Sequence, residues 1–383
     1  MTQLSPSMTP VVICRSNPVS PDPRVEKIAR VLAEDGYPVS VVGWDRSMSF
    51  PTEQARPGYR LYLFPLPAAY GSGMRNLGGL IRWQWFLLTW LVNQRANYRI
   101  IHACDFDTVL PAMFAKLFLG KRVVYDIFDF YADHLRGTPD FIKRLIRWFD
   151  LRLIGMVDAV ILVDDARREQ IAQSTPKRCL VIYNTPEDCP VNFRDQEEQT
   201  AGFRLRIAYV GMMQRERGLL EVIELVKNHP DWHLDLAGFG GDEQLIHAAA
   251  ETAPNVCWHG RVDYDEALRI NAQADVLFAT YDPEVPNHRF SSPNKVFEAM
   301  MLGKPIIVTR RTNMDRLVTE ADCGVTVEYG DQADLENAFA QIASDVENRK
   351  RMGQNARTVY ESRFSWNIMK SRLTDLYATL SQR

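Results

Sequence analysis

Leu205-Arg206-Ile207-Ala208-Tyr209-Val210 is a β-branched and aromatic run that leads into Gly211, and it restarts a pattern the chain has already completed once. In the first half, short apolar runs at 11–14, 39–42, 100–102, 123–125, 159–163 and 180–183 alternate with amphipathic helical stretches. That alternation predicts a parallel sheet with helices on both faces. Mid-chain, Asn184 to Pro190 carries two prolines, and a charged stretch at 195–200 follows, the composition of a linker. After Gly211, runs at 233–237, 256–259, 275–279, 304–308 and 324–327 predict a second sheet of the same kind. The fold expected is α/β: a Rossmann-like domain over 1–190, a linker over 191–203, and a second Rossmann-like domain over 204–362. An amphipathic helix in 363–383 is expected to pack back on the first domain. Open parallel sheets bind ligands outside the carboxyl ends of their strands, so two such domains imply a cleft between those ends.

The chain's 383 residues exceed what one core usually organises. Its 46% hydrophobic and 24% charged residues exclude general disorder, and a net charge of −3 argues against a nucleic-acid binder. Six cysteines, at 14, 104, 179, 189, 257 and 323, form no C-x-x-C and read as thiols of a reducing compartment. The opening MTQLSPSMTP lacks the features of a secretory leader. The longest apolar run, 85–92, falls short of the ~18 residues that suggest a membrane span. The expected location is cytoplasmic, or peripheral on the cytosolic face of a membrane.

The most specific string is Arg289-Phe290-Ser291-Ser292-Pro293-Asn294-Lys295-Val296-Phe297-Glu298-Ala299-Met300, ending Leu302-Gly303-Lys304-Pro305. Ser291 to Asn294 read as a turn opening a helix, with Pro293 suited to the first helical position. A helix start offers unpaired amides and the positive end of a dipole, which is a phosphate site. Lys295 adds a charge there, and Glu298, one turn further in, suits vicinal hydroxyls such as those of a ribose. The plainer alternative is a capped helix with a surface salt bridge.

This string resembles the C-domain motif of glycosyltransferase family 4, retaining enzymes of GT-B architecture. That motif has a Glu, a Pro, then a second Glu followed by Ala-Met and Gly-x-Pro. Pro293, Glu298, Ala299 and Met300 match it, while Phe290 stands where the first Glu would be. A subset of the family carries Ser-Pro-Asn-Lys before the helix, as here. The resemblance implies that Glu298 binds the ribose of a nucleotide-sugar donor and that the amides around Pro293 to Val296, beside Asn294 and Lys295, receive its β-phosphate. A second stretch, Gly211-Met212-Met213-Gln214-Arg215-Glu216-Arg217-Gly218, supplies cations for a departing diphosphate. Arg217-Gly218 occupies the place of the family's Lys-Gly, and Arg215 is the expected second cation. With cations in that role, neither a metal nor a cofactor is expected.

In the first half, Arg15 to Val25 holds no glycine, so Arg24 is read as a phosphate or acceptor contact, with helix capping by Asp22-Pro23 as the alternative. Tyr125-Asp126-Ile127-Phe128-Asp129-Phe130-Tyr131-Ala132-Asp133-His134 follows a strand and points to a site by the strand-end rule. Family members carry a His where Phe128 stands. Either Asp126 or Asp129 then takes a catalytic part, or activity has been lost. His102 and Asp105 are read as walls of the cleft, and the Asp105-x-Asp107 triplet is set aside as a metal site.

Between Gly73 and Gly155 there are 12 Lys/Arg against 7 Asp/Glu. Residues 77–92 hold three tryptophans and a phenylalanine, and 141–154 read as a basic amphipathic helix with Ile142, Leu145, Ile146, Phe149 and Leu153 on one face. Such helices lie on anionic membranes or pack on a sheet, and both readings stand. The implied function is transfer of a sugar to a glycan or lipid-linked acceptor in surface polysaccharide or glycoconjugate synthesis. A sugar-nucleotide epimerase of the same architecture and a degenerate sugar-nucleotide-binding protein are the alternatives.

Overall fold

The computed structural model describes residues 9–20, 22–68, 77–135, 138–189 and 202–382. The chain divides into two compact units, Met1–Tyr183 with Met369–Arg383, and Asn184–Ile368. The division thus falls at Tyr183, ahead of the expected linker, which lies outside the described residues except for 202 and 203.

The first unit is built on strands β1 (Val11–Arg15), β2 (Val39–Asp45), β3 (Glu53–Arg56), β4 (Tyr59–Pro65), β5 (Ile100–Cys104), β6 (Arg122–Ile127), β7 (Ala159–Leu162) and β8 (Cys179–Val181). Their order across the sheet is β3-β4-β2-β1-β5-β6-β7-β8, parallel throughout except for the β3–β4 pair. Val11 stands opposite both Val39 and Ile100. From Val11 to Cys14 every side chain is buried, as expected of a central strand covered on both faces. The β3–β4 hairpin was not anticipated. β3 is polar and half exposed, and its partner alternates the buried Leu61 and Leu63 with Tyr62 and Phe64, whose rings meet Trp90 and Phe86 on the other face.

The helix Trp366–Ser381 belongs to this first unit from Met369 onward. Met369, Leu373, Leu376, Tyr377 and Leu380 are buried, a stripe at helical spacing. Polar contacts fix its register. Lys370 pairs with Glu34 at 2.6 Å, Thr374 donates to Asp35 at 2.7 Å, and Arg372 donates to the Val181 carbonyl at 2.8 Å.

The second unit holds β9 (Leu205–Met212), β10 (Trp232–Phe239), β11 (Val256–Gly260), β12 (Val276–Ala279), β13 (Ile306–Thr309) and β14 (Gly324–Val327). The order is β11-β10-β9-β12-β13-β14, every pair parallel. At their carboxyl ends β9 and β10 meet through two glycines. A Cβ on Gly238 would lie 1.8 Å from the Gly211 carbonyl oxygen, and its φ of +145° is itself one that side chains avoid. This contact lets the two strands stay paired to their tips, where the chain turns into the Arg215–Arg217 segment.

Candidate functional site

In the second unit the residues singled out by sequence converge where β9 and β12 end and the helix Asn294–Leu302 begins. Arg217 closes a short 3-10 turn, and Gly218 follows in the left-handed region at φ +66°. A Cβ there would stand 2.6 Å from Thr280 Oγ1, which donates at 2.8 Å to the Arg217 carbonyl. Gly218 therefore lets the turn seat against the end of β12. The Arg217 guanidinium lies 3.7 Å from the centre of the Tyr281 ring.

Lys295 reaches the same place from the helix. Its Nζ sits 3.1 Å from the Tyr209 ring centre, is buried, and has no hydrogen-bond acceptor. Burial, reinforced by the Arg217 charge, drives the Lys295 pKa far below its ordinary value, with Glu298 pulling the other way. Gly211 leaves room for it, since a Cβ at that position would lie 3.0 Å from Nζ. Ser292 Oγ is also buried without a partner at the same helix start. Buried polar groups are nearly always paired, so two orphans at one helix N-terminus are the signature of a place prepared for an anion.

Pro293 is the N-cap of the helix and Asn294 its first residue, one position later than the sequence reading placed the helix start. Pro293 has no side chain that can cap; the Val296 amide donates to the Pro293 carbonyl at 3.1 Å, which leaves the Asn294 and Lys295 amides to an outside acceptor. Glu298 is buried, accepts from Asn271 Nδ2 at 3.4 Å, and is hydrogen-bonded to the Tyr264 hydroxyl. Burial and this carboxylate together raise the Tyr264 phenol's pKa, so Tyr264 stays a donor to Glu298.

Arg215 is placed differently. Its side chain is 65% exposed and turned to Asp242, with Nε 3.9 Å from Oδ1. The second cation beside Arg217 is therefore Lys295 rather than Arg215. Sequence reading also missed Tyr209, Tyr281 and His288. Tyr281 follows the end of β12, where the strand-end rule would have found it. His288 is buried against Tyr281, and its Nδ1 is 2.9 Å from the Asp282 carbonyl. Burial and the Arg217 charge hold its pKa down, so it is a neutral imidazole donating from Nδ1.

In the first unit the candidates separate into two groups. Arg24 is buried and grips Asp126 with two bonds, Nε to Oδ2 at 3.0 Å and an Nη to Oδ1 at 2.8 Å. Its other Nη donates to the Ile182 carbonyl. His102, wholly buried, lies 3.2 Å from Asp126 Oδ2 through Nε2 and 2.7 Å from the Tyr377 hydroxyl through Nδ1. Burial alone would raise the Asp126 pKa, but Arg24 and His102 outweigh it and hold the carboxyl below its ordinary value. Asp126 is thus an ionised acceptor with both oxygens engaged, His102 donates to it from Nε2, and Tyr377 donates to Nδ1. This corrects three expectations: Arg24 is not a phosphate contact, His102 is not a cleft wall, and Asp126 reaches no solvent.

The other group lies at the carboxyl ends of β1, β5 and β6. Asp105 takes φ +65° and ψ 170°, which costs a non-glycine residue about 1–3 kcal/mol. It is held there because Oδ1 accepts from the Phe128 amide at 2.9 Å and its own amide donates to the Asp126 carbonyl at 2.9 Å. Oδ2 pairs with Arg15, which also pairs with Asp22 at 2.9 Å. Burial pushes the Asp105 carboxyl up to about 6 against the pull of Arg15. The Arg15 guanidinium lies 4.1 Å from the centre of the Phe128 ring. Asp129 is 36% exposed and bonds Arg167 at 2.7 Å. Of the two catalytic candidates, only Asp129 stands at the surface. Asp105 and Asp107 form no metal-ligand group with other acids, histidines or cysteines among the described residues.

The aromatic helices also differ from expectation. In Leu77–Asn93, Trp83 is buried and stacked on Trp44, and Phe86 stacks on Phe64 at 4.0 Å, whereas Ile81 and Trp85 are exposed. In Asp140–Met156 the buried residues are Asp150, Leu153 and Ile154, and Phe141, Leu145, Trp148 and Phe149 face solvent. Phe114, Leu117 and Phe118 of the neighbouring helix Phe106–Leu119 are exposed as well. No helix among the described residues is long and apolar enough to cross a membrane.

Two Rossmann-like units, one with a cationic helix start at its strand ends, are the framework of a GT-B glycosyltransferase. Two family models match the chain, the glycosyl transferase 4-like domain over residues 21–185 and the glycosyl transferases group 1 domain over residues 193–359. The chain belongs to this glycosyltransferase family. Among curated relatives, D-inositol 3-phosphate glycosyltransferase of Corynebacterium efficiens is 26% identical over 229 residues, 56% of this chain and 52% of that protein. The match therefore spans about half the length of that relative. Sucrose-phosphate synthase from Thermosynechococcus elongatus superposes with a TM-score of 0.79 at 16% identity, covering 97% of this chain and 99% of that one. HepE of Anabaena, solved with UDP and glucose, superposes at 0.71 with 16% identity, covering 97% and 99%.

If Asp126 serves the fold, Asp126→Asn leaves Arg24 buried beside a neutral amide. Removing one partner of a buried ion pair costs about 3–5 kcal/mol. Denaturant unfolding should show a loss of that order. Unchanged stability with lost turnover would instead return Asp126 to a catalytic part.

Proposed function

We propose that this protein transfers a sugar from a nucleoside diphosphate sugar to a glycan or lipid-linked acceptor, with retention of anomeric configuration, in surface polysaccharide or glycoconjugate synthesis. The carrying observation is the pairing of Arg217 and Lys295 at a helix start whose Lys295 amine and Ser292 hydroxyl have no partner. A diphosphate fits that need: it brings two anionic groups to two cations and to first-turn amides. As the glycosidic bond breaks, its electron pair passes to a diphosphate oxygen, and Arg217 and Lys295 neutralise the charge that develops there. Glu298, oriented by Asn271 and Tyr264, takes the ribose hydroxyls. HepE, which binds UDP and glucose in its solved structure, supports this choice of donor. In the first unit, Asp129 and Asp105 at the strand ends meet the acceptor. Two fixed cations do the work a divalent ion would otherwise do, so the reaction is metal-independent.

Arg217→Ala and Glu298→Ala test the donor site directly. Each removes a charge-assisted bond worth about 1.5–3 kcal/mol, so kcat/KM for the donor should fall at least about tenfold. Wild-type kinetics in both would remove the proposed site, and a rate abolished by EDTA and restored by Mn²⁺ would overturn metal independence.

The exposed aromatic and aliphatic residues of the first unit, accompanied by Lys143, Arg144 and Arg152, suit peripheral attachment to an anionic membrane carrying a lipid-linked acceptor. Each basic residue near such a surface contributes about 1 kcal/mol. Co-sedimentation with anionic vesicles at low salt should be strong, fade with salt, and weaken in Lys143→Gln/Arg144→Gln and in Trp148→Ala. No binding to anionic vesicles at low salt would exclude the attachment.

A further inference from the structure

We propose that Asp235, Cys257 and His259 form a site for a divalent transition metal of the zinc class, a clip between β10 and the edge strand β11. Ligand atoms of Asp235, Cys257 and His259 lie within 4.8 Å of one another, the only such group among the described residues. Asp235 Oδ1 stands 2.8 Å from His259 Nε2 and 3.4 Å from His233 Nε2. His233 stands beside the carboxylate but outside this group, where it can hold Asp235 in place. An imidazole, a thiol and a carboxylate, with a water in the fourth position, are a donor set that tetrahedral zinc accepts.

The backbone explains why three donors from two strands meet, with His233 beside them. His233 and Asp235 are two apart on β10 and therefore share a face, and Asp235 stands opposite Cys257 on β11. Register then slips: Leu236 pairs with Trp258 but Ala237 pairs with Gly260, so His259 is the residue left without a partner. A bulge re-aims the side chain it carries, and here the His259 ring is turned onto Asp235. The remaining carboxylate oxygen faces Arg206 at 3.8 Å, an outer contact of the kind that orients a metal-binding carboxylate. Asp235 is buried while Cys257 is exposed, which gives an ion a route in.

The site is separate from the proposed donor cradle. His233 and Asp235 lie at the beginning of β10, and Gly238, which meets Gly211, lies near its end, roughly 10 Å further along the strand. Its role follows from its place: β11 is an edge strand held on one side only, and a metal taking one ligand from β10 and two from β11 would pin it. On binding, the His259 imidazole coordinates as a neutral group and Cys257 releases its thiol proton to water.

The test uses the whole chain, stripped with chelator and titrated with Co²⁺ and then Zn²⁺. One equivalent should bind, with the intense visible bands of a four-coordinate cobalt ion and a thiolate-to-cobalt charge-transfer band. The charge-transfer band should vanish in Cys257→Ser, and the visible bands should weaken in His259→Ala. Zn²⁺ at about a hundredfold excess over Kd should raise the unfolding midpoint of the wild type by about 5 °C and leave both variants where they were. Metal-free melts matching the wild type confirm that the variants fold. A charge-transfer band that survives in Cys257→Ser, or no stoichiometric binding, would overturn the site. Transferase activity is not read, so neither outcome bears on the donor cradle.

Discussion

A lysine amine buried beside a half-buried guanidinium is the constraint around which the second unit is arranged. Burial penalises the Lys295 charge, and the neighbouring Arg217 charge adds to the penalty. The protein offsets this with aromatic faces, Tyr281 under the guanidinium and Tyr209 under the amine. Each ring is itself fixed by the fold: Tyr209 donates its hydroxyl to the Met212 carbonyl, and Tyr281 offers its own carbonyl to Thr309. The turn glycine, the strand-tip glycines and the uncapped helix start are all conditions for bringing these charges into one place. An aromatic face compensates a cation incompletely, so the Lys295 amine remains without a hydrogen-bond acceptor.

The first unit uses its charges in the opposite way. Arg24 and Asp126 neutralise each other completely in the interior, with His102 and Tyr377 filling the remaining hydrogen-bonding positions. A closed network of this kind has nothing left to offer a ligand. A few residues further along the same strands the charges are less enclosed: Asp105 is held in a costly backbone conformation and Asp129 reaches solvent.

The sheets were legible because buried parallel strands are nearly continuous apolar runs, as Val11–Cys14 and Ile306–Val308 show. The β3–β4 hairpin was not, because Glu53–Arg56 is an exposed polar strand with no hydrophobic signature. At the candidate site the motif residues could be named, Lys295 among them, but Arg215 is turned to Asp242 instead of standing beside Arg217. Spacing along a chain does not say which of two cations a turn aims at Asp242 and which a helix carries onto a tyrosine. Asp126 was misjudged for a related reason. Its partner Arg24 lies 102 residues away, so sequence showed an acid beside a strand end but not the guanidinium that occupies it. The aromatic helices misled in the other direction: helical spacing groups Leu145 with Leu153, yet only the latter is covered.

Tyr377 has a consequence for the order in which the molecule is made. Its hydroxyl completes the hydrogen bonding of a histidine at the centre of the first sheet, and the helix carrying it also bonds the Val181 carbonyl on the edge strand. The whole of Asn184–Ile368 is synthesised before that helix. The interior of the first unit therefore cannot be finished until the second has been synthesised, because the hydroxyl that donates to His102 Nδ1 is made after it.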